Sequence, residues 1–145
     1  MSRKRKVLLV TFAVLLIIPI ILTVVVTVVN DNTASAVEVE LISVPLPEKT
    51  VYLESFSRAG RFVGNGNGIQ YLGAMLITSE LTYEELESYY SQYDCQVYVQ
   101  NTAEIDERHG SLHFTTDPVP EASYRVEKWG DAVSWFFYDY DLRGH

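Results

Sequence analysis

The chain has 145 residues, a formal charge of −8 and one cysteine. Four of its eleven Lys and Arg lie within residues 3–6, so the remainder sets seven against nineteen Asp and Glu, a formal −12. That balance excludes a nucleic-acid partner, because phosphate contact needs clustered cations. A lone cysteine excludes an internal disulfide, so any folded part must be held by its own core.

Residues 7–29 form 23 consecutive uncharged residues, mostly Val, Leu and Ile, with Thr11, Thr23 and Thr27 the only hydroxyls. As a helix at ~1.5 Å per residue the run reaches ~34 Å, enough to cross a hydrocarbon layer ~30 Å thick. In lipid its backbone groups have only one another to pair with, which imposes helix despite the β-branched content. Pro19 removes one donor, a defect that membrane helices tolerate. Arg3, Lys4, Arg5 and Lys6 flank the run and resist translocation. The expected order is a basic cytoplasmic tail (1–6), a transmembrane signal-anchor helix (7–29), a stalk (30–48) and an extracytoplasmic domain (49–145). A competing reading is a cleaved leader, with Ala34-Ser35-Ala36 as the small-residue site and release after Ala36, although the apolar run exceeds the ~7–15 residues of a usual leader core. No lipid-attachment cysteine follows the run, and the basic start is not a twin-arginine motif. No N-x-S/T sequon occurs, which leans toward a bacterial source.

Residues 30–35 are small and polar, as a stalk would be, and residues 37–44 alternate like a first strand before Pro45 and Pro47. A strand is expected at 51–56, and a short one at 61–63. Gly64-Asn65-Gly66-Asn67-Gly68 reads as a turn rich in residues that accept positive φ. Residues 69–78 are apolar on both alternating faces, as in a central strand covered on two sides. Thr82 and Glu85 make a capping box. Glu84, Glu85 and Glu87 suit the first turns of a helix dipole. Leu86, Tyr89, Tyr90 and Tyr93 fall on one face, predicting a helix over about 83–92. Alternation returns at 95–100, 110–116 and around Tyr124 and Val126. Trp129-Gly130-Asp131 reads as a turn into a last strand over 132–140. Strands joined by short turns predict an antiparallel sheet. The fold class is therefore α+β: a transmembrane helix, then a small antiparallel sheet with one amphipathic helix packed on it.

Candidate chemistry is sparse. The glycine-rich loop does not open onto a helix, as a dinucleotide fingerprint must, so a hairpin turn is the plainer reading. His109 and His113 are four apart, but in a strand their Cα atoms would stand about 13 Å apart, too far for one ion. Asp139 and Asp141, and Glu104, Asp106 and Glu107, are acidic groups without a calcium-loop pattern and read as solvated strand ends. Cys95 shares a face with Val97 and Val99 and reads as buried. No nucleophile elbow is present, and no cofactor or metal ligand set emerges.

The aromatics stand out. All ten Tyr and both Trp follow the apolar run, and Tyr suits a surface that must bind without being greasy. Tyr89, Tyr93, Trp129, Trp135, Tyr138 and Tyr140 are the candidate interaction residues. The expected function is a non-catalytic, membrane-tethered binding module for a protein or an envelope component on the outer face. The alternative is an envelope-side hydrolase using carboxylates.

Overall fold

In the computed structural model of the protein, residues 3–62, 68–106, 112–131, 134, 136–137 and 140–144 are described. A single helix, α1, runs from Arg3 to Ser43, continuous through Pro19. It is long and apolar enough to cross a membrane. It is followed by β1 (Thr50–Gly60), β2 (Gln70–Ser79), α2 (Tyr83–Tyr90), β3 (Gln96–Val99), β4 (Glu104–Asp106), β5 (Leu112–His113) and β6 (Ser123–Gly130). The α+β class is as the sequence predicts.

Four strands form one sheet in the order β1-β2-β6-β3, and every neighbouring pair is antiparallel. β2 and β3 therefore run parallel with β6 between them, and the link through α2 carries the chain from one side of β6 to the other. β4 and β5 pair as a separate hairpin. The two faces of β2 follow from its alternation. Tyr71, Met75 and Ile77 pack with residues of α1 and α2, whereas Leu72, Ala74 and Leu76 pack with Phe114 and, at the margin, Ile105 and Leu112 of the hairpin. The apolar run on both faces thus reflects cover on both sides.

Residues 30–43 depart from the expected stalk and first strand: they are helical. Val26, Asn30, Ala34, Val37 and Leu41 are its buried residues, spaced four, four, three and four apart, which is one stripe of a helix. The strand-like alternation of Val37, Val39 and Leu41 is superseded because the helix buries the first and third and leaves Val39 58% exposed. The stripe lies on the sheet. Two glycines permit this: a Cβ at Gly73 would meet the backbone of Val37 and Glu38, and one at Gly130 would collide with Val37 Cγ2. Two helical segments, not one, cover this face.

α2 begins as the capping box predicts, with Thr82 Oγ1 accepting from Glu85 N–H and Glu85 Oε2 accepting from Thr82 N–H. It ends at Tyr90, and a 3-10 turn, Ser91–Tyr93, completes the expected span; Asp94 then takes a left-handed conformation (φ 58°) that turns the chain into β3. β1 extends beyond the expected 51–56 to Gly60, and Arg61 and Phe62 are not strand. Trp129 and Gly130 belong to β6 rather than to a turn, because they pair with Leu72 and Tyr71 of β2. Of the expected last strand, Phe136 and Phe137 are helical, with Tyr140 N–H donating to Phe136 C=O. That i→i+4 bond turns the backbone back on itself, where a strand would need a neighbour to pair with. Most of that stretch lies outside the described residues, as do Gly64 to Asn67 of the glycine-rich loop.

Candidate functional site

The helix and the C-terminal residues meet at the point where the apolar run ends. Asn30 follows that run directly and is fully buried. A buried amide must find partners, and Asn30 finds three. Its Oδ1 accepts from Tyr71 Oη (2.7 Å), and its Nδ2 donates to Asp141 Oδ2 (2.8 Å) and to Phe137 C=O (2.9 Å). Asp141 in turn holds Arg143, whose Nε and Nη2 donate to its two oxygens at 2.9 and 2.7 Å. Arg143 also reaches back to α1, pairing with Asp31 at 2.6 Å and donating to the Thr27 carbonyl at 3.4 Å. Five side chains, Asn30, Asp31, Tyr71, Asp141 and Arg143, from three distant parts of the sequence thus form one polar clasp.

Its electrostatics follow from its geometry. Burial works to raise the Asp141 carboxyl, but hydrogen bonds from Arg143 and Asn30 outweigh it and hold the group at about 2. The Arg143 guanidinium is pushed upward by its hydrogen bond to Asp141, against the opposing effect of burial and with support from Asp31. Burial, reinforced by the Asp141 charge, raises the Tyr71 phenol. All these groups stay in their ordinary charge states near neutrality, so the clasp is a structural joint without a poised acid or base. Asp141, read from the sequence as a solvated strand end, is 1% exposed.

The candidate aromatic residues occupy different places. Tyr89 is half-buried on α2, donates to the Pro45 carbonyl at 2.8 Å, and sets its ring against Tyr90 and Tyr93. Tyr93 is 38% exposed, whereas Tyr90 is wholly buried in the core with Leu86. Trp129 lies on the opposite face, edge-on to Phe62 with ring centres 5.8 Å apart. Tyr140 is 58% exposed and stacks on Phe136 at 4.9 Å. Trp135 and Tyr138 lie outside the described residues. Tyr89 and Tyr93 therefore share one surface, and Trp129 stands across the sheet from them.

On the hairpin side an open cleft of 730 Å³ is lined by residues that include Glu104, His113, Phe114, Asp117 and Val119. Beside it, Arg125 of β6 lies 2.8 Å from Glu127 and sits over the Tyr98 ring at 4.6 Å. Glu54 of β1 anchors the segment after β5 by accepting from both backbone N–H groups of Thr115 and Thr116 and from the Thr115 hydroxyl. Burial opposes ionisation of Glu54, but these donors hold its carboxyl at about 2. Neither Arg125 nor Glu54 was visible as a partner from sequence, since their contacts span 20 and 61 residues.

Among the described residues, no group of three His, Cys, Asp or Glu is placed to hold a metal ion. His109, Glu107 and Asp139 fall outside them. Cys95 is buried, and burial pushes its thiol up, partly offset by Lys128. Comparisons with protein-family models, with curated proteins and with solved structures find no match.

Proposed function

We propose that the protein is a single-pass, membrane-anchored binding module. Its basic tail stays in the cytoplasm, and its acidic, Tyr-rich domain is held against the outer surface of the cell membrane to bind a protein or an envelope component. The observation that carries this reading is the division of one helix into two environments. The large apolar residues from Val7 to Val25 are all exposed, from 45% at Leu22 and Val25 to 70% at Leu8, a surface that water does not tolerate and lipid does. Residues 30–43 bury a stripe in the domain core.

The same continuity weighs against a cleaved leader. Release after Ala36 would strip Asn30 and Ala34 from beneath the sheet and remove the amide that Tyr71 and Asp141 share. The basic residues 3–6 support the inward tail, and a domain of formal −12 suits a basic partner better than anionic headgroups. The alternative hydrolase would centre on the open cleft, where Glu104 and Asp117 stand.

The test takes the full chain in intact cells. Retention after an alkaline wash, digestion of the domain by protease added outside, and crosslinking of one stoichiometric partner are the expected results. Loss on washing would remove the anchor. Turnover by the purified protein that Glu104→Gln or Asp117→Asn abolishes would replace the binding reading with the catalytic one.

A further inference from the structure

The polar clasp places a second apolar element at the level where α1 leaves its apolar run. Phe137 gives its carbonyl to Asn30, and Arg143 reaches the carbonyl of Thr27, one turn lower. Phe137 and residues 140–143 are therefore level with the last turn of the run. Val26, on the clasp side of α1, is 1% exposed, while Val25 and Val28 on its other sides are 45% and 51% exposed.

The run spans ~34 Å as a helix, against a hydrocarbon layer of ~30 Å. Its last two or three residues, and whatever is docked against them, then lie at the boundary between hydrocarbon and headgroups. Tyr and Trp are favoured at that depth. The docked segment presents Leu142 at 70% exposure and Tyr140 at 58%, with Phe136 stacked on Tyr140 and Phe137 edge-on to Phe136. Among its described residues, Arg143 pairs with both Asp141 and Asp31, which lowers the cost of holding these charges near lipid.

We propose that the segment bearing Phe136, Phe137, Tyr140 and Leu142 is a second membrane contact, seated in the interfacial layer of the leaflet from which α1 emerges. This rests on the membrane reading above. It adds that the domain touches the bilayer beside its anchor and is thereby fixed in orientation. The opposite end of the sheet, where Thr78 pairs with Ser123, points away: Val37 lies by Gly130, whereas Leu41, one turn farther along α1, clusters with Met75 and Ile77.

The experiment uses the full chain with Cys95→Ala, reconstituted in phosphatidylcholine vesicles, carrying one fluorophore-labelled cysteine at a time. The positions are Leu142→Cys, Tyr140→Cys, Val14→Cys and Glu121→Cys. Emission is compared with and without brominated acyl chains, and with and without iodide on both sides of the membrane. Labels at 142 and 140 are expected to lose emission to brominated lipid and to resist iodide, and the label at 121 to do the reverse. Quenching of 14 by brominated lipid while 142 and 140 respond only to iodide would overturn the second contact and leave the anchor standing. Resistance of 142 and 140 to both quenchers would mean that protein covers the segment, a second copy included, and would overturn it too. Failure of brominated lipid to quench position 14 would remove the anchor and this inference together.

Discussion

Gly73 of β2 lies directly under Glu38 of α1: a Cβ added at Gly73 would stand 3.0 Å from both the Cα and the N of Glu38. Backbone cannot step aside as a side chain can, so the close approach of helix and sheet depends on glycine here. Gly73→Ala is expected to cost about 1–3 kcal/mol, the usual penalty of overpacking. Gly60→Ala is the control, since its Cβ would meet only the ring of Phe62, which can rotate. Denaturant unfolding of the full chain in detergent distinguishes them. Equal losses would show that the helix is not seated as tightly as this contact requires.

Asn30→Ala removes the acceptor of the buried Tyr71 hydroxyl and one of the two donors to Asp141 Oδ2, which keeps Arg143 Nη2. A loss of about 1–3 kcal/mol is expected. Pairing Asn30→Ala with Tyr71→Phe is expected to cost less than the sum of the two singles, because both remove the same bond. Strict additivity would mean that the clasp contributes nothing as a unit.

Acid is expected to loosen the domain through two carboxylates. Asp141 and Glu54 are held at about 2 in the folded protein, below their ordinary values of 3.8 and 4.5. A depressed folded value means that the fold binds protons less readily than the unfolded chain. The stabilisation is therefore complete above the ordinary values and fades as pH falls from about 4.5 toward 2. The melting temperature is expected to drop across that window in the wild type. In the Asp141→Asn, Glu54→Gln double variant it should start lower and change less. An unchanged acid slope in the double variant would place the titration elsewhere.

The apolar helix, β2 and α2 were legible because each carries a strong local signal: an uninterrupted apolar run, two apolar faces and a reciprocal cap. Residues 30–43 were not, for two physical reasons. Asn30, Asp31, Asn32 and Ser35 favour turns and caps over helix interiors, and Val37, Val39 and Leu41 alternate with glutamates as a strand would. Packing against Gly73 and Gly130 overrides both signals, and neither glycine is near in sequence. The clasp was hidden for the same cause: Asn30 and Asp141 are 111 residues apart. The hairpin cover over Leu72, Ala74 and Leu76 was missed because β4 and β5 are only three and two residues long. Tyr90 and Tyr89, indistinguishable as neighbours in sequence, differ in fate because α2 turns one inward and leaves the other at the edge.

Cys95 is expected to resist thiol reagents in the folded protein. Its buried position and raised thiol leave little thiolate at neutral pH. Labelling by a maleimide should be slow in the native chain and rapid after denaturation. Fast native labelling would mean that the α2–β3 corner opens far more readily than its packing implies.

The 41-residue helix has a mechanical consequence. A jointed linker would let the domain wander while its root stayed still, but an unbroken rod transmits rotation. The upper 14 residues make an arm of ~20 Å. Any change in the angle at which the lower half crosses its surroundings therefore swings the far edge of the sheet by several ångströms, and any load on that edge twists the root.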